Sequence, residues 1–533
     1  MKEQHMLARS DTQSQDSDKT LSLQHEQVSY WRLLSPRGVV TDRILHEHYE
    51  GEGTEEHPYT ISFLENDPGD PKELPQWRKW VIVAACSLWA FMTAMGSSIW
   101  IGILREVQEY TQTSREVAIL GVSFYVLGFV IGPLFWAPLA ESLGRQATML
   151  ASYIGFVVFL GGVVAAQNIE TMIVLRFLAG CFSSCSFTTA QGILADIFEP
   201  AKRGLAFGFY AATPFLGPVL GPMAGGFLGV ALGWRWTLGI LTLLAASGLV
   251  LGLLFVPETL GELLLDRRAR TMSKMTGKCY VSQLHLQKGS VSAKVAFKKA
   301  LTRPWVILFT EPIVLLLSLW VASIYGTLYL FLAGYPYVYQ DARGWSPGIG
   351  GLALLGIGVG CLVACIVNVP ISKRFAVKVK KEQAHPEVRL QPSMVGVVLV
   401  PIGILWFAFT NGPSIPWPCS VIAGSFFGCG MVLIWTSSSN YIVDAYKMYA
   451  ASAIAGQIVM RSVFGAVFPL FTGYIYEGIG IHWASAVPGF LAILLLPLPF
   501  LFHRYGRVIR SRSKFADKAD ADDEALRSRK GSV

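Results

Sequence analysis

Between residues 80 and 502 the chain alternates apolar blocks of about twenty residues with short polar connections. Twenty helical residues rising about 1.5 Å each cross a hydrocarbon core about 30 Å thick, whereas barrel strands would be shorter and would alternate in polarity. The pattern therefore predicts spans near Trp80 to Leu104, Val117 to Leu139, Ala147 to Ala166, Thr171 to Leu194, Leu205 to Val230 and Trp236 to Phe255. A second set follows near Trp305 to Phe331, Gly348 to Ile371, Ser393 to Phe409, Ile415 to Trp435, Tyr449 to Phe471 and Trp483 to Phe502. The expected architecture is an all-α membrane protein with twelve transmembrane helices in two similar six-helix bundles, as a duplicated transporter would have. An internal echo supports duplication: span four ends Thr188-Thr189-Ala190-Gln191 and then Ile193-Leu194-Ala195-Asp196, and span ten ends Ser438-Ser439-Asn440 and then Ile442-Val443-Asp444.

Composition agrees, with 52% hydrophobic residues, only 15% charged and a mean hydropathy of +0.45. A soluble domain carries roughly 25% charge. The expected domains are an acidic cytoplasmic tail (1–78), a first bundle (79–260), a basic cytoplasmic linker (261–304), a second bundle (305–502) and a cytoplasmic tail (503–533). Residues 1–78 hold 15 acids against 8 Lys and Arg and are poor in apolar runs, which predicts disorder, and they lack the layout of a cleaved signal peptide. Charge sets the orientation: segment 261–304 holds ten basic residues against two acids, and the tail after 502 nine against five. Both belong inside by the positive-inside rule, and so does segment 372–392 with Lys373, Arg374, Lys378, Lys380, Lys381 and Arg389.

Span five contains Gly217-Pro218-Val219-Leu220-Gly221-Pro222-Met223-Ala224-Gly225-Gly226. Glycines at 217, 221 and 225 line one stripe where another backbone can approach, and the prolines remove donors that neighbours must replace. A plain packing seam and a seal across a pathway both fit. The turn between spans two and three reads Glu141-Ser142-Leu143-Gly144-Arg145, with Gly144 suited to the bend and the two charges at the boundary, either solvated or making a contact that breaks between states. Arg176, Arg461 and Glu311 are the ionisable groups expected within the membrane, where a central basic group facing lipid costs about 2.5 to 3.5 kcal/mol, so each should face the interior. Glu311 has the alternative of sitting at headgroup level.

Ser183, Ser184, Ser186, Thr188, Thr189 and Gln191, with Thr436 to Asn440, are polar enough to line a wet cavity or to join helices. Aromatic and Met side chains crowd span one (Trp89, Phe91, Met92, Met95, Trp100) and span seven (Tyr325, Tyr329, Phe331, Tyr335), as core packing or as a wall for lipophilic or cationic ligands. Trp100, Gln191, Tyr325, Tyr329 and Asn440 are the candidate cavity residues. Seven of the eight cysteines lie in apolar blocks and read as free thiols, without a metal spacing. No phosphate-cradling GxxxxGK[ST] loop and no HExxH occurs, so neither an enzyme, a cofactor nor a nucleotide-driven pump is expected, and uphill transport would draw on an ion gradient.

These residues resemble the major facilitator superfamily, and within it the fungal drug:proton antiporters with twelve spans. Glu141, Gly144 and Arg145 are similar to its signature after span two, Arg176 with Gly180 to its span-four motif, and Gly217-Pro218 through Gly225-Gly226 to its span-five antiporter motif. Glu311-Pro312-Ile313-Val314, Asn440-Tyr441-Ile442-Val443-Asp444-Ala445-Tyr446 and Ser513-Lys514-Phe515-Ala516 also resemble the fungal branch, over roughly residues 65 to 516. The resemblance implies two bundles around a cavity that opens alternately, and export of drugs, fungicides, polyamines or toxic metabolites in exchange for protons. It implies a monomer in the plasma membrane, with lipid, protons and a small molecule as partners and no nucleic acid. Ser142 and Gln146 stand where the signature is usually basic, and span one lacks a buried acid. Proton coupling is then expected of Arg176 with Glu311, Asp196, Asp444 or Glu141, and Arg176 would tune a neighbouring carboxylate. Proton-coupled nutrient uptake and a non-transporting membrane sensor are the rival readings.

Overall fold

The computed structural model describes residues 32, 38–199, 203–283, 293–380, 386–446, 449–510, 513 and 515. Most of the first 37 residues lie outside the described residues, and with them the disorder expected of that stretch, as do the middle of the basic linker and the end of the second tail. By contact the chain divides into two compact units, Met1–Lys79 with Pro257–Val291, and Trp80–Val256 with Ser292–Val533.

In the larger unit eleven helices among the described residues are long and apolar enough to cross a membrane. The last candidate runs from Ser452 to Gly506, and its helix is broken at Gly480 (φ 77°, ψ 165°), a backbone region that only glycine enters freely. Two crossings are therefore joined there, which makes twelve among the described residues. The first half comprises Gln76–Gly102, Arg115–Ser142, Arg145–Ala165, Ile169–Ile197, Ala206–Leu232 and Trp234–Phe255. The second comprises Pro312–Asp341, Pro347–Ile371, Pro386–Thr410, Trp417–Tyr446 and the two halves of the broken stretch. Spans one and seven are the most enclosed, each 83% buried, while span six is 28% buried and turns Leu243, Val250 and Leu253 outward. The first spans of the two halves are thus enclosed to the same extent, as a duplicated bundle would have it.

Local chemistry fixes several ends. Asn168 accepts from the Thr171 amide at 3.0 Å and starts span four. Span seven begins at Pro312 instead of near Trp305, because proline lacks a donor and steers Glu311 out of helical geometry (φ −102°, ψ 105°), leaving Ala293–Thr310 as a separate helix. Span five is continuous across Pro214, Pro218 and Pro222. The Tyr210 carbonyl that Pro214 cannot reach is taken by the Thr213 hydroxyl at 2.8 Å.

The smaller unit corrects the expectation that the whole of 1–78 is disordered. Strand β1 (Tyr59–Ile61) pairs in parallel with β2 (Tyr280–Ser282) of the linker, Tyr59 opposite Tyr280. Ile44, Tyr49 and Ile61 of the front segment are buried with Ala269 and Met272 of the linker helix Gly261–Thr276. Arg268 grips Asp67 with both Nη atoms, at 2.6 and 2.8 Å, and donates from Nε to the Val39 carbonyl at 2.9 Å. Few apolar residues suffice because a fully hydrogen-bonded pair fixes their register.

Candidate functional site

The glycine stripe of span five lies against span one. A Cβ at Gly217 would stand 2.6 Å from that of Ala94, one at Gly221 would fall on the Ser98 hydroxyl, and one at Gly225 on the Ile99 carbonyl. The neighbouring face of the same helix meets span eight of the other half. A Cβ at Gly226 would lie 2.6 Å from the Pro347 carbonyl carbon, and one at Gly351 2.6 Å from the Met223 Cα. Span five is thus packed closely against both span one and span eight at one end of the larger unit, with Pro222 facing Gly102 of span one. At that same end Arg115 of span two meets Asp341 of span seven at 3.3 Å and covers the Tyr337 ring at 3.7 Å.

Arg176 is fully buried in the first half. It donates to the carbonyls of Gly121 at 2.6 Å, Gly96 at 3.0 Å and Ser97 at 3.3 Å, and lies on the faces of Trp100 and Tyr125. None of these partners is a carboxylate, so the expected tuning of a neighbouring acid is replaced by carbonyl and aromatic solvation. Trp100, expected in the cavity wall, instead fills the notch at Gly121 and donates to the Ala118 carbonyl at 2.8 Å.

Where the halves face each other the side chains are aromatic. Tyr325 and Tyr329 of span seven are buried with hydroxyls 3.5 Å apart, and Tyr329 reaches Ser97 of span one at 2.7 Å. Phe215 of span five sits edge-on to both Tyr325 and Trp435. Arg461 of span eleven, 2% exposed, lies over Tyr325 at 4.9 Å, Phe187 of span four at 5.7 Å and Trp435 of span ten at 5.8 Å. One turn away Gln457 accepts from the Ser439 hydroxyl at 2.9 Å. Gln191 and Asn440 are half-buried nearer the other end of spans four and ten.

At that other end the two halves repeat one device. Arg145 meets Asp196 at 3.3 Å, and Arg389 meets Asp444 at 2.8 Å. Gly144 has φ 103°, which lets the chain turn into span three, whereas Glu141 is exposed and enters no ion pair among the described residues. Arg203 lies near both aspartates and donates to the Ala195 carbonyl at 2.9 Å. Burial pushes its guanidinium below the ordinary value, and Asp196 and Asp444 oppose that shift. Glu311 accepts from the Tyr446 hydroxyl at 3.1 Å, the Ser513 hydroxyl at 2.5 Å and the Phe515 amide at 3.3 Å. It is enclosed by the chain and lies away from the central aromatics.

The description of the Major Facilitator Superfamily matches residues 86–468. The chain belongs to the major facilitator superfamily. It is 47% identical over 510 residues to a major facilitator superfamily multidrug transporter of Aspergillus fumigatus, covering 95% of this chain and 84% of that protein. It is 46% identical over 497 residues to an MFS-type efflux pump of Trichophyton rubrum, covering 93% and 83%. The solved major facilitator proton:xylose symporter XylE shares its fold, with a TM-score of 0.59 at 14% identity over 81% of this chain and 96% of that one.

As a major facilitator protein the chain is a multi-pass membrane transporter of small molecules. Among the sequence candidates, the structure brings Tyr325 and Tyr329 to the interface of the halves. It leaves Trp100 and Arg176 within the first half, and Glu141, Asp196, Asp444 and Glu311 at one end. Phe187, Phe215 and Trp435 are interface residues, and Gln457 a buried neighbour of Arg461, that sequence reading did not single out. Only Gln457 carried a local signal, one turn from Arg461 on an otherwise apolar helix. The pentapeptide Gly344-Trp345-Ser346-Pro347-Gly348 has the spacing of a hydrolase elbow, yet Ser346 merely precedes helix Pro347–Leu352 and bonds no histidine or carboxylate among the described residues.

Proposed function

We propose that this transporter is a proton-coupled antiporter that exports amphipathic organic compounds across the plasma membrane, acting as a monomer with both termini in the cytoplasm. The observation that carries the reading is the aromatic interface of Tyr325, Tyr329, Phe187, Phe215 and Trp435, drawn from both halves and suited to flat lipophilic molecules. The names of its relatives, a multidrug transporter and an efflux pump, support the outward direction. Alternating access follows from the division of contacts. Span five closes one end against span eight, while the paired aspartates and Arg203 occupy the other, so the two ends can open in turn about the aromatic centre.

Every Asp and Glu within the spans lies within about one turn of a span end, so the proton-carrying acid is sought at the Asp196 and Asp444 end. The test is transport by the full-length protein in proteoliposomes with an imposed pH gradient and a panel of fluorescent lipophilic compounds. Compounds should move against the proton flow. Movement with the protons would establish uptake, and no proton movement on adding any compound would remove the coupling.

A further inference from the structure

Among the described residues, the interior of the spans more than about one turn from their ends holds basic groups and no acid. All acids of the spans stand near span ends, whereas Arg176 and Arg461 lie about two turns or more inside spans four and eleven. Arg176 is solvated by three carbonyls and two rings. The Arg176 Nη1 is nevertheless enclosed without a hydrogen-bond partner. Arg461 goes further: both its Nε and its Nη1 are enclosed without one, no carbonyl accepts from it among the described residues, its surroundings are the π faces of three rings, and no acid stands among them. The Gln457 Nε2, one turn along the same helix, is likewise buried without a partner.

Unpaired buried donors on a cation are expensive, and a chain that keeps them at the meeting surface of its two halves holds them for something that arrives. Removing the charge altogether would stabilise the resting protein.

We infer that Arg461, assisted by Gln457, is an anion subsite that receives a carboxylate or enolate oxygen of the transported compound, while Tyr325, Phe187 and Trp435 hold its apolar ring. This rests on the export reading above and narrows its substrates. A guanidinium fork matches two oxygens of a carboxylate, and the low-polarity cage strengthens the pairing. The same charge, with Arg176 nearby in the interior, opposes polyamines and other organic cations.

The test is thermal stabilisation and binding of the purified full-length protein with three acid and amide pairs: benzoate and benzamide, 2-naphthoate and 2-naphthamide, indole-3-acetate and indole-3-acetamide. At least one acid should bind about tenfold or more tightly than its amide. Arg461→Leu should abolish that preference, leave amide binding unchanged and unfold at the same or a higher temperature. Arg461→Lys should retain part of the preference, and it carries the comparison should Arg461→Leu fail to fold. Equal binding of acid and amide in all three pairs overturns the inference. So does a preference that survives in Arg461→Leu, or a fall of acid and amide binding alike, which marks a structural role only. Binding is read without transport: absent efflux sinks the export reading alone, and efflux intact with no acid preference sinks only the anion subsite.

Discussion

Arg389 donates from Nε to Oδ2 of Asp444 at 2.8 Å, in the second half, at the place where Arg145 meets Asp196 at 3.3 Å in the first. Both pairs are partly exposed, so each should contribute only about 0.5 to 1 kcal/mol. Arg203 lies within electrostatic reach of both aspartates, one from each half. Arg389→Gln and Arg145→Gln should therefore each change transport rate by about two- to fivefold, by altering how long this end stays closed. Arg203→Gln should exceed either, because it loosens both aspartates at once. Rates in proteoliposomes check this, and identical rates in all three variants would separate the array from gating.

Gly221 admits no Cβ without striking Ser98, whereas Gly208 on the same helix has nothing within 4 Å of an added Cβ. Gly221→Val should force spans one and five apart and abolish transport, and Gly221→Ala should impair it. Gly208→Ala should be neutral or slightly stabilising, by up to about 1 kcal/mol, since alanine favours helix. Size-exclusion profiles and transport of the three variants are the measurement. Normal transport by Gly221→Val would remove the tight-packing role of the stripe.

The membrane architecture was legible because lipid imposes a length and a polarity on every span, which twelve blocks of sequence satisfy one by one. What was hidden is long-range. Ile44, Tyr49 and Ile61 are too sparse to announce a core, and their partners Ala269 and Met272 lie over two hundred residues away. Asp67 and Arg268 look like two solvated charges until the fold joins them. Aromatic density marked Trp100 and Tyr325 alike, but density does not say which face of a helix a ring occupies. Thus Trp100 proved to be packing for Arg176 and Tyr325 a wall of the interface. Arg461 was legible as a membrane-embedded charge, whereas its cage comes from spans four, seven and ten and exists only in the packed bundle.

Asp67→Ala should unfold the smaller unit locally. The substitution leaves the Arg268 guanidinium enclosed with only the Val39 carbonyl from Nε, and breaking one partner of a buried pair costs about 3 to 5 kcal/mol. Replacing both, as Asp67→Leu with Arg268→Met, should recover most of that loss. Limited proteolysis of full-length protein, with cuts mapped between residues 38 and 79, reads the outcome. Equal protection of Asp67→Ala and wild type would mean that the apolar cluster alone holds the unit.

Glu311 separates two roles that a membrane carboxylate can have. Its oxygens accept from Tyr446, Ser513 and the Phe515 amide, which ties the start of span seven to the end of span ten and to the closing tail. Phe515 also packs edge-on against Tyr449 at 5.2 Å, so the tail has a second anchor beside the carboxylate. Glu311→Ala strands three donors and should cost about 1 to 3 kcal/mol for each that stays buried, with the tail becoming open to carboxypeptidase. Glu311→Gln keeps an accepting oxygen, and the two hydroxyls can rotate to accept from its amide, so it should hold the tail and transport nearly as wild type under a pH gradient. A proton carrier would behave otherwise. Glutamine cannot titrate, and transport driven by the gradient would vanish while exchange without a gradient persisted. That second pattern would move the proton from the Asp196 and Asp444 end to Glu311 and make the tail contact part of the coupling cycle.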